Sequence, residues 1–258
     1  MRKPPYQGII VMLELYNFQQ STCSQKVRFV LAEKNLEWVD KRLDSRRGEQ
    51  LKPEYLSINP NGLVPSLIHD DAIILDSSVI MEYLDEIFHD VSMVPENPVS
   101  RAHLRKWLRY MEEIPTPAIR YPSFQKYLIR SFQHLDDEAM EAQAKRRPLR
   151  TEFYRRMGTD GFTDAEIQTA LDNLQQAVDR VDAALEAHGG PWIMGEQLTI
   201  ADACYLPTVD RMDDLGLATQ WAERPHMAAW YAHIKARPAY ATAFYPGSRL
   251  SELFGESA

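Results

Sequence analysis

A hydroxyl and a thiol stand close together at Ser21-Thr22-Cys23-Ser24, between a short apolar run and an amphipathic segment. Residues 12–16 predict a strand, and apolar side chains share one face of a helix predicted over residues 24–34. Because a helix N-terminus exposes unpaired N–H groups and the positive end of the helix dipole, this place can hold or generate a thiolate. The competing interpretation is structural: Ser21 or Ser24 caps the helix, and Cys23 is a small buried apolar residue.

Two further motifs are candidates for binding a ligand. Pro65 precedes a predicted strand, where proline cannot donate a ladder hydrogen bond. A cis Val64-Pro65 bond would turn the backbone of Val64 towards an extended peptide ligand, although a trans proline opening an edge strand is far commoner. Ser77 is a predicted helix N-cap. Its hydroxyl and N–H can alternatively bind a carboxylate at the positive helix end, with Asp76 holding a ligand ammonium group.

The elements that position these motifs alternate in the first third of the chain. Strands are predicted over 12–16, 37–43, 66–68 and 72–75, and helices over 24–34, 53–58 and 77–88. The order β-α-β-α-β-β-α predicts one mixed sheet with helices packed on it. Beyond a proline-containing connector, helices are predicted over 99–114, 164–188, 199–206 and 225–236. We therefore predict an α/β domain over 10–90 and an all-helical domain over 99–250.

An irregular insertion near 115–163 interrupts the helical part. It contains Lys145-Arg146-Arg147 and Arg155-Arg156, with aromatic residues between them. A solvated insertion is favoured over an anion-binding patch, because the chain as a whole is acidic. The pattern at Thr199-Ile200-Ala201-Asp202 is typical of a capping box, so we assign it a structural role.

Composition narrows the class of protein further. The 258 residues carry a formal net charge of -8, which argues against binding to nucleic acid or to anionic membranes. Two cysteines give no disulfide framework and favour a reducing, cytoplasmic compartment. The histidines show no metal-binding pattern, since His226 and His233 share a helix face without a third ligand nearby, and no metal is expected. Cys204, in an apolar helix, is expected to be inert.

Taken in order, the motifs resemble a known family over roughly residues 13–246. They are Ser21-x-Cys23-Ser24, Asn59-Pro60-x-Gly62-x-Val64-Pro65, Asp76-Ser77-x-x-Ile80-x-Glu82-Tyr83-Leu84 and Thr199-x-x-Asp202. This set resembles the cytosolic glutathione transferases, of the serine-type, zeta-like group or of the bacterial β-etherase and dehalogenase kind. The resemblance implies a thioredoxin-like domain followed by a helical bundle domain. It also implies a homodimer, or a heterodimer with a related subunit.

The resemblance also implies roles for particular residues. Ser21 would donate a hydrogen bond to the glutathione sulfur, and the backbone of Val64, before a cis Pro65, would pair with the cysteinyl part. The γ-glutamyl end would bind Asp76 and Ser77, and Gln50 would reach the glycine end. A hydrophobic, aromatic electrophile would then be attacked by the bound thiolate. The residues implied for its binding are Trp107, Tyr110, Met111 and Tyr121.

Other functions remain open on the sequence. If Cys23 is the reactive group, the protein is a glutathione-linked thiol reductase or dehalogenase. A non-catalytic glutathione-binding module keeps the fold but often loses the thiol-activating residue, so the joint presence of Ser21, Val64-Pro65 and Asp76-Ser77 argues against it. A dimer subunit whose site serves its partner is a further alternative. The electrophile itself is not identified by the sequence.

Overall fold

The structure is a computed structural model that describes residues 12–255. Within these residues, four short strands form one sheet. They are β1 (Leu13–Asn17), β2 (Val39–Arg42), β3 (Ser66–His69) and β4 (Ala72–Leu75). Their order in the sheet is β2-β1-β3-β4, with β1 parallel to β2 and antiparallel to β3, and with β3 antiparallel to β4. Leu15 of β1 lies opposite Leu67 of β3, and both are fully buried.

Three helices accompany the sheet: α1 (Thr22–Glu33), α2 (Pro53–Leu56) and α3 (Ser77–Ile87). The predicted order β-α-β-α-β-β-α is confirmed. Two details of the prediction are wrong. Helix α1 begins at Thr22 rather than Ser24, because Ser21 is its N-cap. Helix α3 is capped by Asp76 rather than Ser77, because the Asp76 carboxylate accepts hydrogen bonds from the N–H groups of Ser78 and Val79.

The rest of the chain is helical, as predicted. Its main helices are α4 (Pro98–Glu113), α9 (Asp164–His188), α10 (Ile200–Asp214), α11 (Pro225–Lys235), α12 (Pro238–Ala243) and α13 (Leu250–Phe254), with four short helices, α5–α8, between α4 and α9. The helix expected over 199–206 is longer, since α10 continues through Pro207. A proline inside a helix costs about 3 kcal/mol, and burial of the following turns, including Val209 and Met212, offsets it. Residues 10 and 11, where the α/β domain was predicted to begin, lie outside the described residues, and the domain boundaries stay a prediction.

The insertion contains α5 (Pro115–Ala118), α6 (Arg120–Ser123), a π-helical turn (Phe124–Leu128), α7 (Asp137–Lys145) and α8 (Thr151–Met157). It has its own apolar cluster, made by Ile129, Met140, Ala144, Tyr154, Met157 and Phe162. The expectation of a solvated insertion therefore fits the exposed Arg155 and Arg156 but is wrong for Arg147, which is only 8% exposed.

Buried polar groups join the two parts of the chain. Helix α1 packs against α10 and α12. Lys26 of α1 is fully buried, and its Nζ lies 2.5 Å from the Glu112 carboxylate on α4 and 3.2 Å from the Thr116 hydroxyl. Cys204 on α10 lies nearby, and burial raises the pKa of its thiol to about 12, which agrees with an inert cysteine. Among residues 12–255 no helix is long and apolar enough to cross a membrane.

Candidate functional site

A cavity of about 550 Å³ lies between the sheet and the insertion. Four predicted site residues, Ser21, Cys23, Gln50 and Val64, lie on its wall. They come from the start of α1, from a 3-10 turn (Glu49–Leu51) and from the residue before Pro65. The fold thus brings together residues from three segments of the chain, between Ser21 and Val64.

Ser21 serves as a helix cap in a way that leaves its proton free. Its Oγ accepts a hydrogen bond from the Ser24 N–H at 3.3 Å, and its own N–H donates to the Phe18 carbonyl. A hydroxyl has one donor and two acceptor lone pairs, so capping uses an acceptor and spares the O–H. The capping and the catalytic interpretations of Ser21 are therefore compatible.

Cys23 is the second residue of α1 and is half-buried. Its thiol therefore lies at the positive end of a twelve-residue helix, where a negative charge is favoured. The Arg120 guanidinium lies on the wall of the same cavity. The helix end and this guanidinium both bring positive charge to the cavity that Cys23 lines.

The same cavity wall carries polar groups that have no hydrogen-bond partner among residues 12–255. The Val64-Pro65 bond is cis, as the resemblance implies. Among the described residues, no hydrogen bond involves the N–H or C=O of Val64. Gln50 is 7% exposed, and its Oε1 has no hydrogen-bond partner within that part of the chain. These are groups that an extended peptide can satisfy.

Asp76 and Ser77 lie outside the wall of this cavity. Asp76 is exposed and has a φ of 72°, an uncommon value for a non-glycine residue. Its Oδ1 accepts from the Ser78 N–H at 2.9 Å, the Ser78 hydroxyl at 2.6 Å and the Val79 N–H at 3.2 Å. Within residues 12–255 its Oδ2 has no protein donor, which leaves one oxygen for a ligand.

The four residues expected at the electrophile are placed elsewhere, since none is among the described residues that line the cavity. The rings of Trp107 and Tyr110 lie against the Arg180 guanidinium, at 5.4 and 4.0 Å from their centroids. Met111 is buried in the main core. Tyr121 packs at the edge of the insertion's apolar cluster.

Arginine dominates the charge of the cavity wall, a feature that the sequence analysis missed. The described residues of the wall include no carboxylate and no lysine but seven arginines, Arg46, Arg47, Arg120, Arg146, Arg147, Arg150 and Arg211. Burial, and then the neighbouring Arg150, lower the pKa of Arg120 to about 10. The run at 145–147 was the available signal, and the acidic balance of the whole chain outweighed it. No group of three or more His, Cys, Asp or Glu side chains among residues 12–255 is placed to hold a metal ion.

Comparisons with known proteins agree with this architecture. The family models described as "Glutathione S-transferase, N-terminal domain" and "Glutathione S-transferase, C-terminal domain" match residues 20–87 and 164–233. Protein LigF of Sphingobium sp. (strain NBRC 103272 / SYK-6) is 26% identical over 245 residues, covering 92% of this chain and 95% of LigF. Tetrachloro-P-hydroquinone reductive dehalogenase of Sphingobium chlorophenolicum is 26% identical over 240 residues, covering 90% and 95%. The crystal structure of the beta-etherase LigF superposes with a TM-score of 0.80 at 26% identity, covering 90% of this chain and 98% of that one.

Proposed function

This chain belongs to the glutathione S-transferase family, whose enzymes take glutathione as cosubstrate, and we propose that it catalyses displacement on a small electrophile with an aromatic body. The glutathione sulfur would form a bond to an electrophilic carbon, and the leaving group would depart with its electron pair. Ether cleavage with loss of a phenolate and dehalogenation with loss of a halide both have this form. The beta-etherase LigF supports ether cleavage, and the relative named a reductive dehalogenase supports loss of a halide. A reductive outcome needs a further step, in which a second thiol takes the sulfur from the thioether and the ring carbon gains a proton.

The observation that carries the proposal is the uncommitted proton of Ser21 at the start of α1, beside a cavity. Its O–H would donate to the sulfur, and a hydrogen bond to the charged form lowers the pKa of a thiol. Val64 would pair its free backbone groups with the cysteinyl part of glutathione, and Gln50 would bind the glycine end. Asp76, through Oδ2, and Ser77 would bind the γ-glutamyl end.

A second candidate function is favoured by the position of Cys23. Its thiol and the Arg120 guanidinium lie on the wall of the same cavity. In a Cys23-dependent reductase or dehalogenase, the Cys23 thiolate would attack the sulfur of a glutathione thioether, break its bond to the substrate carbon, which takes up a proton, and form a mixed disulfide with glutathione. A second glutathione would resolve that disulfide, which releases the Cys23 thiolate and leaves oxidised glutathione. A non-catalytic glutathione-binding module is the third candidate. In addition, we propose a cytoplasmic homodimer, which light scattering would distinguish from a monomer.

A calorimetric titration with reduced glutathione tests the proposal first. We expect saturable binding by the wild type and loss of binding in an Asp76→Ala, Ser77→Ala double variant. Turnover of 1-chloro-2,4-dinitrobenzene then separates an enzyme from a binding module. Absence of glutathione binding by the wild type would refute the proposal. Binding without turnover across a panel of electrophiles would favour the module.

A further inference from the structure

The seven arginines of the cavity differ in how well the protein compensates their charge. Arg46 and Arg47 are exposed and lie 3.7 and 3.5 Å from the Asp44 carboxylate. Arg211 lies 3.5 Å from Asp214. Arg146 is exposed and donates to the Leu51 carbonyl at 3.1 Å. Of these four, Arg46, Arg47 and Arg211 have a carboxylate nearby, and Arg146 is exposed to solvent.

Arg120, Arg147 and Arg150 have no carboxylate within ion-pair distance among residues 12–255. Arg147 donates to neutral acceptors of Gln143, its backbone carbonyl at 2.6 Å and its Oε1 at 2.9 Å. Its guanidinium lies 4.5 Å from the centroid of the Tyr154 ring. No hydrogen bond within the described residues uses the guanidinium of Arg120 or that of Arg150. We call these three residues the arginine trio.

The trio carries an electrostatic cost in the protein without a ligand. Burial, and then repulsion from Arg150, lower the pKa of Arg120 to about 10. Burial also lowers the pKa of Arg147, to which the neighbouring Arg146 and Arg150 contribute. Arg147 is buried, whereas Arg120 and Arg150 are half-buried. The charge of Arg150 disfavours the charge of both other guanidinium groups, and for Arg120 the Glu112 carboxylate, beyond ion-pair distance, offsets part of this cost. Because buried charges in proteins are normally paired, an anion would complete this part of the cavity wall.

Apolar and polar side chains of the insertion line the same cavity. The apolar ones are Ile119, Phe124, Leu128, Phe132 and Leu135, and the polar ones are Ser123, Ser131, His134 and Gln143. Tyr154 lies within 6 Å of the rings of two of these, Phe124 and Phe132. A ligand that satisfies both features has an aromatic body and an acidic group.

We propose that the electrophile is an aromatic molecule bearing an anionic group, such as a carboxylate, which Arg120, Arg147 and Arg150 bind. This rests on the proposed glutathione-dependent displacement and adds the charge of the second substrate. A bidentate guanidinium contact would fix the orientation of the ring, so that its reactive carbon faces Ser21 and Cys23.

The carboxylates of glutathione itself do not account for the trio. The positions proposed for glutathione, Gln50, Val64, Asp76 and Ser77, all lie in the first part of the chain, on or beside the sheet. Two arginines of the wall, Arg46 and Arg47, lie on that same side. The trio belongs to the insertion, which forms the other side of the cavity.

Calorimetric binding to the full chain at saturating glutathione tests the proposal, with 3,5-dinitrobenzoate and its methyl ester as a pair that differs in charge. We expect the wild type to bind the acid about 10-fold or more tightly than the ester, as for one charge-assisted contact. Arg150→Gln and, separately, Arg120→Gln should remove most of this preference and leave the affinity for the ester unchanged. Arg156→Gln is the matched control, because Arg156 is exposed, pairs with Glu166 and does not line the cavity.

Equal binding of acid and ester by the wild type would overturn the proposal, as would equal weakening of both by Arg150→Gln. Loss of glutathione affinity in that variant, with the acid unaffected, would assign the trio to glutathione instead. Turnover of 4-chloro-3,5-dinitrobenzoate against its methyl ester repeats the comparison in the reaction, where sulfur replaces chloride on the ring. If the protein does not bind glutathione, the proposed function fails. Comparing the affinities of the acid and the ester for the protein without glutathione then still tests whether the trio binds an anion.

Discussion

Replacing Ser21 with alanine should separate its two roles, because each affects a different measurement. The first role is the helix cap, in which Oγ accepts from the Ser24 N–H. Removing an N-cap side chain costs about 0.5–2 kcal/mol. The 3.3 Å contact is long for such a bond, so we expect a loss near the lower end, about 0.5–1 kcal/mol. Urea unfolding measures this loss directly.

The second role is donation to the sulfur of bound glutathione. A hydrogen bond to a charged group contributes about 1.5–3 kcal/mol, which corresponds to about 10- to 100-fold in rate while the thiol is mostly protonated. Because the Ser21 hydrogen bond stabilises the thiolate, Ser21→Ala should raise the pKa of the bound glutathione thiol. The full loss of rate should therefore appear below the wild-type pKa. It should disappear above the pKa of the variant, where both proteins hold the thiolate.

The assay is a pH series of kcat/KM, with the far-ultraviolet absorbance of the thiolate recorded in the binary complex. Ser21→Thr keeps a hydroxyl and should retain most of the activity. Cys23→Ala, in contrast, should leave both the pH profile and the absorbance nearly unchanged. If Ser21→Ala shows an unaltered profile while Cys23→Ala is inactive, the reasoning about Ser21 is wrong and the reductase alternative holds.

Three other perturbations have defined outcomes. Glu112→Gln leaves the buried ammonium of Lys26 without its carboxylate, so urea unfolding should show a free energy of unfolding lower by about 3–5 kcal/mol. A Lys26→Met, Glu112→Gln double variant should regain much of this stability. If it does not, the pair is not what stabilises this interface. Asp76→Asn keeps a capping side chain and removes the charge. Glutathione affinity should therefore fall, while the free energy of unfolding stays within about 0.5 kcal/mol of wild type. An unaltered affinity would exclude a contact between Asp76 and the ammonium group of glutathione. Finally, a thiol reagent should label Cys23 in the folded protein and Cys204 only after unfolding, because burial raises the pKa of Cys204 to about 12. Labelling of both cysteines in the folded protein would contradict the inert role of Cys204.

The order of strands and helices up to α3, and the long helices after it, were predictable from periodicity. The short helices α5–α8, α12 and α13 were not predicted. Helix α9 spans Asp164–His188 as its apolar stripe predicts, between a Thr163 capping box and the left-handed Gly189. The first residue of a helix was less predictable where two adjacent residues can both serve as N-cap. Asp76 and Ser77 have similar N-cap preferences. In the structure Asp76, which has a positive φ between β4 and α3, is the N-cap.

The placement of Ser21 and Cys23 on one cavity wall was predictable for a different reason. Ser21 and Cys23 are neighbours in sequence and depend only on where one helix begins. The cavity opposite them is assembled from distant segments, so the local pattern around Tyr110 or Trp107 carries no information about which side chains reach it. Aromatic residues at helical spacing on α4 pack against Arg180 instead.

Net charge misled the interpretation of the insertion because it describes the whole surface. A total of -8 over 258 residues determines how the protein meets large charged partners in solution. A ligand inside a cavity interacts with the few groups on its wall, where lower dielectric strengthens each contact. In this wall those groups are arginines, and burial of Arg147 beside Arg150 costs free energy unless an anion is bound. A protein with a negative net charge can therefore contain a cavity with a positively charged wall. The charge of the proposed substrate is inferred from the residues of that wall and not from the net charge of the whole chain.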